Sequence, residues 1–206
     1  LSIVPEGITK QAIGASDREW AVAARRGDED AFAHLVRRHS GGLHRTVARI
    51  VCDDAEAWDV VQMAFLKAWQ QLERYDAKWS FATWLYRIGT NLAIDVIRAR
   101  KSRERAHAAG MEHRLRVVGD PEPPSRRADE GEVESVVGRL LEGLTPQQRS
   151  AFVLREMEGL DTAEVAQILG CSPTTIRNHI FQARRTLRTV IRESFPEYLP
   201  AQRGES

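Results

Sequence analysis

Two tracts of helical spacing, interrupted by one segment that fits neither, set the limits on how this chain can fold. Apolar side chains recur at steps of three and four from about Asp17 to about Arg103, and again from about Glu132 to about Ser194. No segment alternates with a convincing period of two. Between the tracts lies GMEHRLRVVGDPEPPSRRADEGE, which carries three of the chain's eight prolines, several glycines and a dense mixture of charges. Such a stretch buries too little apolar surface to offset the entropy of ordering it. The expectation is an all-α protein of two small helical domains joined by a flexible linker. The boundaries are read as 1–15 for a flexible lead-in, 16–105 for the first domain, 106–131 for the linker, 132–195 for the second domain and 196–206 for a tail.

In the first tract, SDREWAVAARRG opens with Ser16 or Asp17 as N-cap. The next helix places Ala31, Leu35, Leu43, Val47 and Ile50 on one face, and Ser40-Gly41-Gly42 is read as a kink or break within it. Cys52-Asp53-Asp54 re-caps a third helix, whose apolar face is Val61, Phe65, Ala68 or Trp69, and Leu72. Asp59, Gln62, Met63 and Gln70 lie away from that face. After the loop DAKWS, a helix from about Phe81 to about Arg103 is expected to bury Phe81, Leu85, Ile88 and Leu92. Trp84, Arg87, Asn91, Asp95 and Arg98 share another face.

The second tract holds the most specific local signal. LTPQQRSAFVLREMEGL is a capped helix, with Thr145 as N-cap, Pro146 at its first position and Gly159 near its end. DTAEVAQILG follows, capped by Asp161, with Val165, Ala166 and Leu169 facing inward. A third helix begins at Ser172-Pro173, where Ser caps the orphan amides and Pro loses no intrahelical donor. Ala166, Gly170 and Ile176 then stand at the spacing of a helix-turn-helix: a small residue at the crossing, glycine in the turn, an aliphatic locking the second helix.

Net charge is only +1, yet Gly170–Arg192 holds five arginines and no acid. Ile176 and Ile180 face inward, which leaves Thr174, Thr175, Arg177, Asn178 and His179 at the exposed end that such motifs insert into the major groove. Arg pairs bidentately with guanine and Asn with adenine, while Thr hydroxyls and helix-start amides suit phosphates. Ser172, Phe181 and Arg184 complete the candidate duplex-reading set. A solvated basic face on an ordinary helical hairpin is the plainer alternative.

Other classes of function find little support. No apolar run approaches the ~18 residues a membrane span needs, and nothing resembles a secretion signal. The six histidines are scattered, no paired carboxylates accompany a nucleophile, and no glycine-rich phosphate loop is present. Neither enzyme activity, nor a metal, nor a cofactor is expected. Cys52 and Cys171 lie far apart without metal-ligand spacing and are expected to be reduced, semi-buried residues.

A family resemblance then becomes specific. DVVQMAFLKAWQQLERYD, followed by FATWLYRIGTNLAIDVIRARKSR, resembles region 2 of bacterial RNA polymerase sigma factors of the extracytoplasmic-function (ECF) type. LTPQQRSAFVLREMEGLDTAEVAQILGCSPTTIRNHIFQARRTL is similar to their region 4. The resemblance spans roughly Asp28–Arg103 and Glu134–Arg192. It implies that region 2 binds the clamp helices of core polymerase and captures an unstacked base of the minus-ten element. Region 4 would read the minus-thirty-five duplex and dock on the polymerase flap. Asp59, Gln62 and Phe65 match the core-binding pattern D-x-V-Q-x-x-F, with Met63 and Lys67 beside them, although Met63 stands where the family usually has an acid. His179 and Gln182 likewise occupy positions that are Arg in some relatives. Asn91, in RIGTN, matches a residue lining the pocket for the flipped base, and Asp76–Phe81 matches the loop closing over it, including Lys78, Trp79 and Ser80.

Base recognition outside the stack calls for amide groups beside aromatic walls, and Asn91 near Trp79, Phe81 and Trp84 offers them. Arg98 and Lys101, with Arg100 and Arg103, are candidate phosphate contacts. The resemblance further implies promoter DNA, duplex and single-stranded, and an anti-sigma factor as partners, with a cytoplasmic place of action. The alternative is a stand-alone helix-turn-helix regulator whose first domain serves dimerisation or ligand sensing.

Overall fold

The computed structural model describes residues 14–112 and 130–195, and every regular element among them is helical. The expected lead-in up to residue 13, residues 113–129 of the expected linker and the expected tail lie outside the described residues. The first group comprises α1 (Gly14–Arg25), α2 (Glu29–Val51), α3 (Asp54–Gln70) and α4 (Phe81–Glu112), with a short 3₁₀ turn at Leu72–Arg74. The second comprises α5 (Glu130–Glu142), α6 (Pro146–Phe152), which runs on as a π turn through Val153–Met157, α7 (Thr162–Leu169) and α8 (Pro173–Ser194).

Caps explain most of the boundaries. Asp28 accepts from the Ala31 amide at the start of α2, and Asp53 accepts from Glu56 at the start of α3. Thr145 and Asp161 each form a reciprocal capping box, with Gln148 and Glu164 respectively. Helix α2 ends at Cys52, a non-glycine residue in the left-handed region at φ 58°, whose amide closes onto the Ala48 carbonyl.

Three sequence expectations are corrected. Gly41 and Gly42 do not break α2, which is continuous; Gly42 lets α4 come close, while Gly41 is exposed and a Cβ on it would meet only Arg45 of the same helix. A Cβ on Gly42 would lie 2.9 Å from the Tyr86 hydroxyl, and one on Gly89 would lie 2.8 Å from Leu43 Cδ1. The buried stripe of α4 is rotated from the expected one. Phe81 and Leu85 are buried with Ala82, Tyr86, Ala93 and Ile97, whereas Ile88 and Leu92 are only half-buried. The small residues Gly89 and Ala93 carry that contact, so reading by large aliphatics alone misplaces it. Finally, α1 starts at Gly14, so neither Ser16 nor Asp17 is its N-cap.

Asp17 instead points into the bundle. Its Oδ2 lies 3.0 Å from His39 Nε2 on α2, and Arg38 Nε approaches Oδ1 at 3.4 Å. The His39 ring also packs against Phe81, at the start of α4.

The two groups are in contact. Helix α4 packs on α2 and α3 on one side and on α6 and α7 on the other, and the apolar core is continuous across it. Polar contacts at the joint gather on the last turn of α2. Arg49 Nη1 donates to Glu158 Oε1 at 2.6 Å, Arg149 Nη1 donates to the Ile50 carbonyl at 2.8 Å, and Cys52 Sγ lies 3.7 Å from the Gly138 carbonyl.

Burial holds the pKa of His39 below its ordinary value of 6.5, outweighing the attraction of Asp17. The folded state therefore binds this proton less tightly than the unfolded state. The His39 contribution to stability is fully present above pH 6.5 and is lost as pH falls through the depressed folded value. Denaturant titrations between about pH 7.5 and about pH 5.5 should show stability falling on acidification, and more shallowly in His39→Asn. Equal slopes in both proteins would contradict this origin.

Candidate nucleic-acid and polymerase interface

Burial of Ile176, Ile180 and Ala183 fixes the roll of α8 and thereby decides which side chains it presents. Thr174, Arg177, Asn178 and Phe181 are exposed at its N-terminal half, with Thr175 and His179 half-buried beside them. Phe181 is 65% exposed, too much for a core aromatic, and so offers an apolar contact surface. Ser172 is the N-cap: its Oγ accepts from the Thr175 amide at 3.1 Å and lies 2.9 Å from the Thr175 hydroxyl. The turn before it is set by Gly170 at φ 64°, while the Cys171 amide reaches back to the Ala166 carbonyl at 3.0 Å. Arg184 donates to Glu156 at 2.9 Å, an exposed pair that adds little stability and offsets the charge of this one arginine. Among the described residues, Arg177, Arg185, Arg188 and Arg192 enter no ion pair. Helix α8 thus combines a positive N-terminal end with Arg177 one turn in and further unpaired guanidinium groups along its length, an arrangement suited to a polyanion.

The second exposed constellation lies at the start of α4. Asp76 Oδ1 accepts from the Lys78 amide at 3.0 Å, and Ser80 Oγ accepts from the Thr83 amide at 3.0 Å. Tyr75, buried by its ring, donates its hydroxyl to the Trp79 carbonyl at 2.8 Å and so staples the loop. Its ring packs with Phe81 and Trp84 as an aromatic cluster. Trp79 is left 48% exposed. Along α4, the half-buried Trp84 leads a strip whose Arg87, Asn91, Asp95 and Arg98 are exposed, the face the sequence spacing indicated. Phe81 departs from the expected set: it is 1% exposed and belongs to the core, where it supports the loop without facing a ligand. Arg98 Nη1 approaches Asp95 at 3.8 Å, and Lys101 is half-buried. Arg100 is committed within the domain, donating to Glu56 at 3.1 Å and to the Val51 carbonyl at 2.9 Å.

Helix α3 turns a third surface outward. Asp59, Gln62 and Met63 are exposed, Lys67 is half-buried, and Trp58, Leu66 and Trp69 add large apolar area. Phe65 is buried, edge-on to Phe32, so its place is in the core beneath this surface. Trp58 lies flat on His44 with ring centroids 4.0 Å apart. Exposed apolar side chains grouped on one helix in this way are the kind of surface that protein contacts use.

Residues 35–103 match the sigma-70 region 2 family and residues 135–187 match sigma-70 region 4. The RNA polymerase sigma-H factor of Pseudomonas aeruginosa is 34% identical over 190 residues, spanning 86% of this chain and 97% of that protein. The ECF RNA polymerase sigma-E factor of Escherichia coli strain K12 is 33% identical over 180 residues, spanning 84% and 92%. The chain belongs to the ECF RNA polymerase sigma factors. The ECF sigma factor SigW of Bacillus subtilis is 30% identical over 174 residues, spanning 82% of this sigma factor and 93% of the relative. CnrH, solved in complex with the cytosolic domain of CnrY, superposes with a TM-score of 0.66 at 27% identity, covering 87% of this chain and 99% of that one. The sigma factor RpoE of Bartonella quintana, solved with the anti-sigma factor NepR, shares the fold at a TM-score of 0.56 and 20% identity, covering 79% and 98%. Two family blocks in order disfavour the stand-alone regulator. No helix among the described residues is long and apolar enough to cross a membrane, and none of their His, Cys, Asp and Glu clusters could hold a metal.

In this sigma factor, the residues that sequence reasoning missed are supporting ones: Tyr75 behind the loop, and Asp17 with His39 behind α2. The Tyr-Asp pair of ERYDAKWS is the only hint of the first, and nothing local marks the second. Ser172→Ala should cost the second domain roughly 0.5–2 kcal/mol, whereas Ser172→Asp, also an able N-cap, should keep its stability. Thermal unfolding of both variants checks this; equal losses would remove the capping role.

Proposed function

We propose that residues 16–105 form the module that binds core polymerase and the minus-ten element, and that residues 132–195 form the module that reads the minus-thirty-five duplex. The observation that carries this reading is the separation of exposed groups onto two helical modules. Asn91 lies on one strip with Trp84 beside the exposed Trp79 loop, while Arg177 and Asn178 lie at the outward end of α8. Asn91 supplies the amide that hydrogen-bonds an extruded minus-ten base, and Trp79 and Trp84 supply stacking surface. Asp76, Lys78 and Ser80 shape the loop, and Arg98 and Lys101 hold nearby phosphates. On α8, Arg177, Asn178 and His179 read base edges, Phe181 offers apolar contact to thymine methyls, and Ser172, Thr174, Thr175 and Arg184 position the backbone. Asp59, Gln62, Met63 and Lys67 meet the polymerase clamp helices, and the second module docks on the flap. The factor works where polymerase and chromosome meet, in the cytoplasm, and leaves the chemistry to polymerase. An anti-sigma factor is a further partner, as the family resemblance implies; the similar CnrH was likewise solved with another protein bound, the cytosolic domain of CnrY.

Run-off transcription with purified core polymerase tests the whole reading, with promoter-dependent transcripts expected. Asn91→Ala should lower open-complex yield while leaving core binding unchanged; unchanged yield would overturn the base pocket. Replacing Arg177 and Asn178 with Ala should weaken duplex recognition by roughly 1–3 kcal/mol per lost base contact. The double variant should also lose its response to minus-thirty-five mutations, and a response as large as in the wild type would move the reading surface elsewhere.

A further inference from the structure

We propose that the free chain pairs with a second copy of itself, antiparallel and two-fold symmetric, through the outer face of α3, with Met63 at the axis. The dimer is read from that face alone. Its consequence, that a paired chain cannot load onto core polymerase, rests on the functional reading above.

Six large apolar side chains stand exposed among the described residues, and four of them are on this one helix: Trp58, Met63, Leu66 and Trp69, each between 36% and 49% exposed. A soluble chain rarely gathers so much apolar area in one place without a partner for it. The other side of α3 packs on α2 and α4. Both tryptophan rings are already fixed by neighbours on α2. Trp58 lies flat on His44 with ring centroids 4.0 Å apart, and Trp69 meets Phe32 edge-on at 4.9 Å. Rings held in this way have little side-chain freedom left to lose on association.

The order of residues along the face selects a second copy over any other apolar partner. In an antiparallel two-fold pair, residues equally far before and after the axis come level, and every contact occurs twice. Asp59 stands four residues before Met63 and Lys67 four after it, so the Asp59 of each copy comes level with the Lys67 of the other. Trp58 stands five before and Trp69 six after, which brings the tryptophans of the two copies level as well. The roll of the helix agrees. At about 3.6 residues per turn, Asp59, Gln62 and Leu66 lie at the centre of the face, Met63 and Lys67 to one side, Trp58 and Trp69 to the other. Two-fold symmetry brings like sides together, so ion pairs flank one edge of the seam and indole rings the other.

Charge completes the match. Asp59 and Lys67 are about 12 Å apart along their own helix, too far to pair with each other. Neither enters an ion pair among the described residues. A second copy supplies both partners. At the axis a residue meets its own copy, where a charge would be repelled, and Met63 is uncharged, unbranched and deformable.

Helix α3 has 17 residues and is about 25 Å long. A contact confined to its outer face falls below the ~800 Å² per partner of a standard interface, so the dimer is weak, with a dissociation constant in the micromolar range. Asp59, Gln62, Met63 and Lys67 are the groups assigned above to the clamp helices. Pairing and polymerase therefore compete for one surface, and factor made in excess of polymerase is held in a form that cannot load.

Sedimentation equilibrium of the full chain, from about 1 μM to about 500 μM, tests the dimer. The proteins are wild type, Asp59→Lys, Lys67→Asp, the double exchange and Met63→Lys, with circular dichroism to verify each fold. Wild type should show a reversible monomer–dimer equilibrium. Each single reversal sets like charges level twice over and should raise the dissociation constant about tenfold, while both on one chain should return it to within about threefold of wild type. Met63→Lys, with two ammonium groups at the axis, should abolish pairing. A wild type that stays monomeric, a dimer indifferent to Met63→Lys, or a double exchange no better than the single ones overturns the proposal. Should a single reversal fail to fold, Met63→Lys decides. Core polymerase added to a wild-type dimer carrying donor and acceptor dyes should abolish energy transfer. Polymerase bound to an intact dimer would refute the assignment of this face to the clamp, whereas a chain that is monomeric throughout yet supports run-off transcription refutes the dimer alone.

Discussion

Helix α4 carries three commitments on one cylinder, and the rest of the structure follows from how they are divided. Leu85, Gly89, Ala93 and Ile97 lie on the face sunk into the first domain, and that face is narrow because Gly89 lets α2 approach to side-chain contact with Leu43. A second sector packs on α6 and α7. The third, led by Trp84 and running through Arg87, Asn91, Asp95 and Arg98, stays largely exposed and is the sector proposed to meet DNA. A helix with a broad aliphatic stripe could not meet all three demands. Small residues at the tight contact free the remaining circumference.

The second domain solves a simpler problem with the same means. Ile176, Ile180 and Ala183 fix the roll of α8, Ser172 and Pro173 fix its start, and Gly170 fixes the angle of entry. Once these are set, the outward residues need contribute nothing to stability and can be chosen for DNA. The scaffold does not depend on neutralising the arginines of this stretch, of which Arg184 alone is ion-paired among the described residues, and in the proposed function a polyanion neutralises the rest.

Features with a local physical cause were legible in the sequence. Capping by Asp53, Thr145, Asp161 and Ser172 occurs where the side-chain chemistry indicates, and the exposed strip through Asn91 follows from spacing alone. Features that arise from contacts between distant segments were not. Asp17 reads as a cap because an acid before an apolar run usually is one, but His39, 22 residues onward, claims it. Gly41-Gly42 reads as a break because the partner of Gly42, Tyr86, lies far along the chain. Arg149 looks like an ordinary surface arginine of a polar first turn, and only the tertiary approach of α2 reveals it as buried. Phe65 and Phe81 show the converse limit: motif matching marks a segment as functional, while the individual aromatic serves as the floor beneath it.

The proposal that two helical modules act together only on core polymerase makes a demand on the promoter itself. Permanganate footprinting of melted thymines, combined with nuclease protection on the same template, measures that demand directly. With core polymerase and the sigma factor together, minus-ten thymines should become reactive while the minus-thirty-five duplex is protected on the same molecules, and the factor alone should produce neither signal. Strong protection of duplex DNA by the factor without polymerase, or protection upstream with no melting downstream, would contradict it.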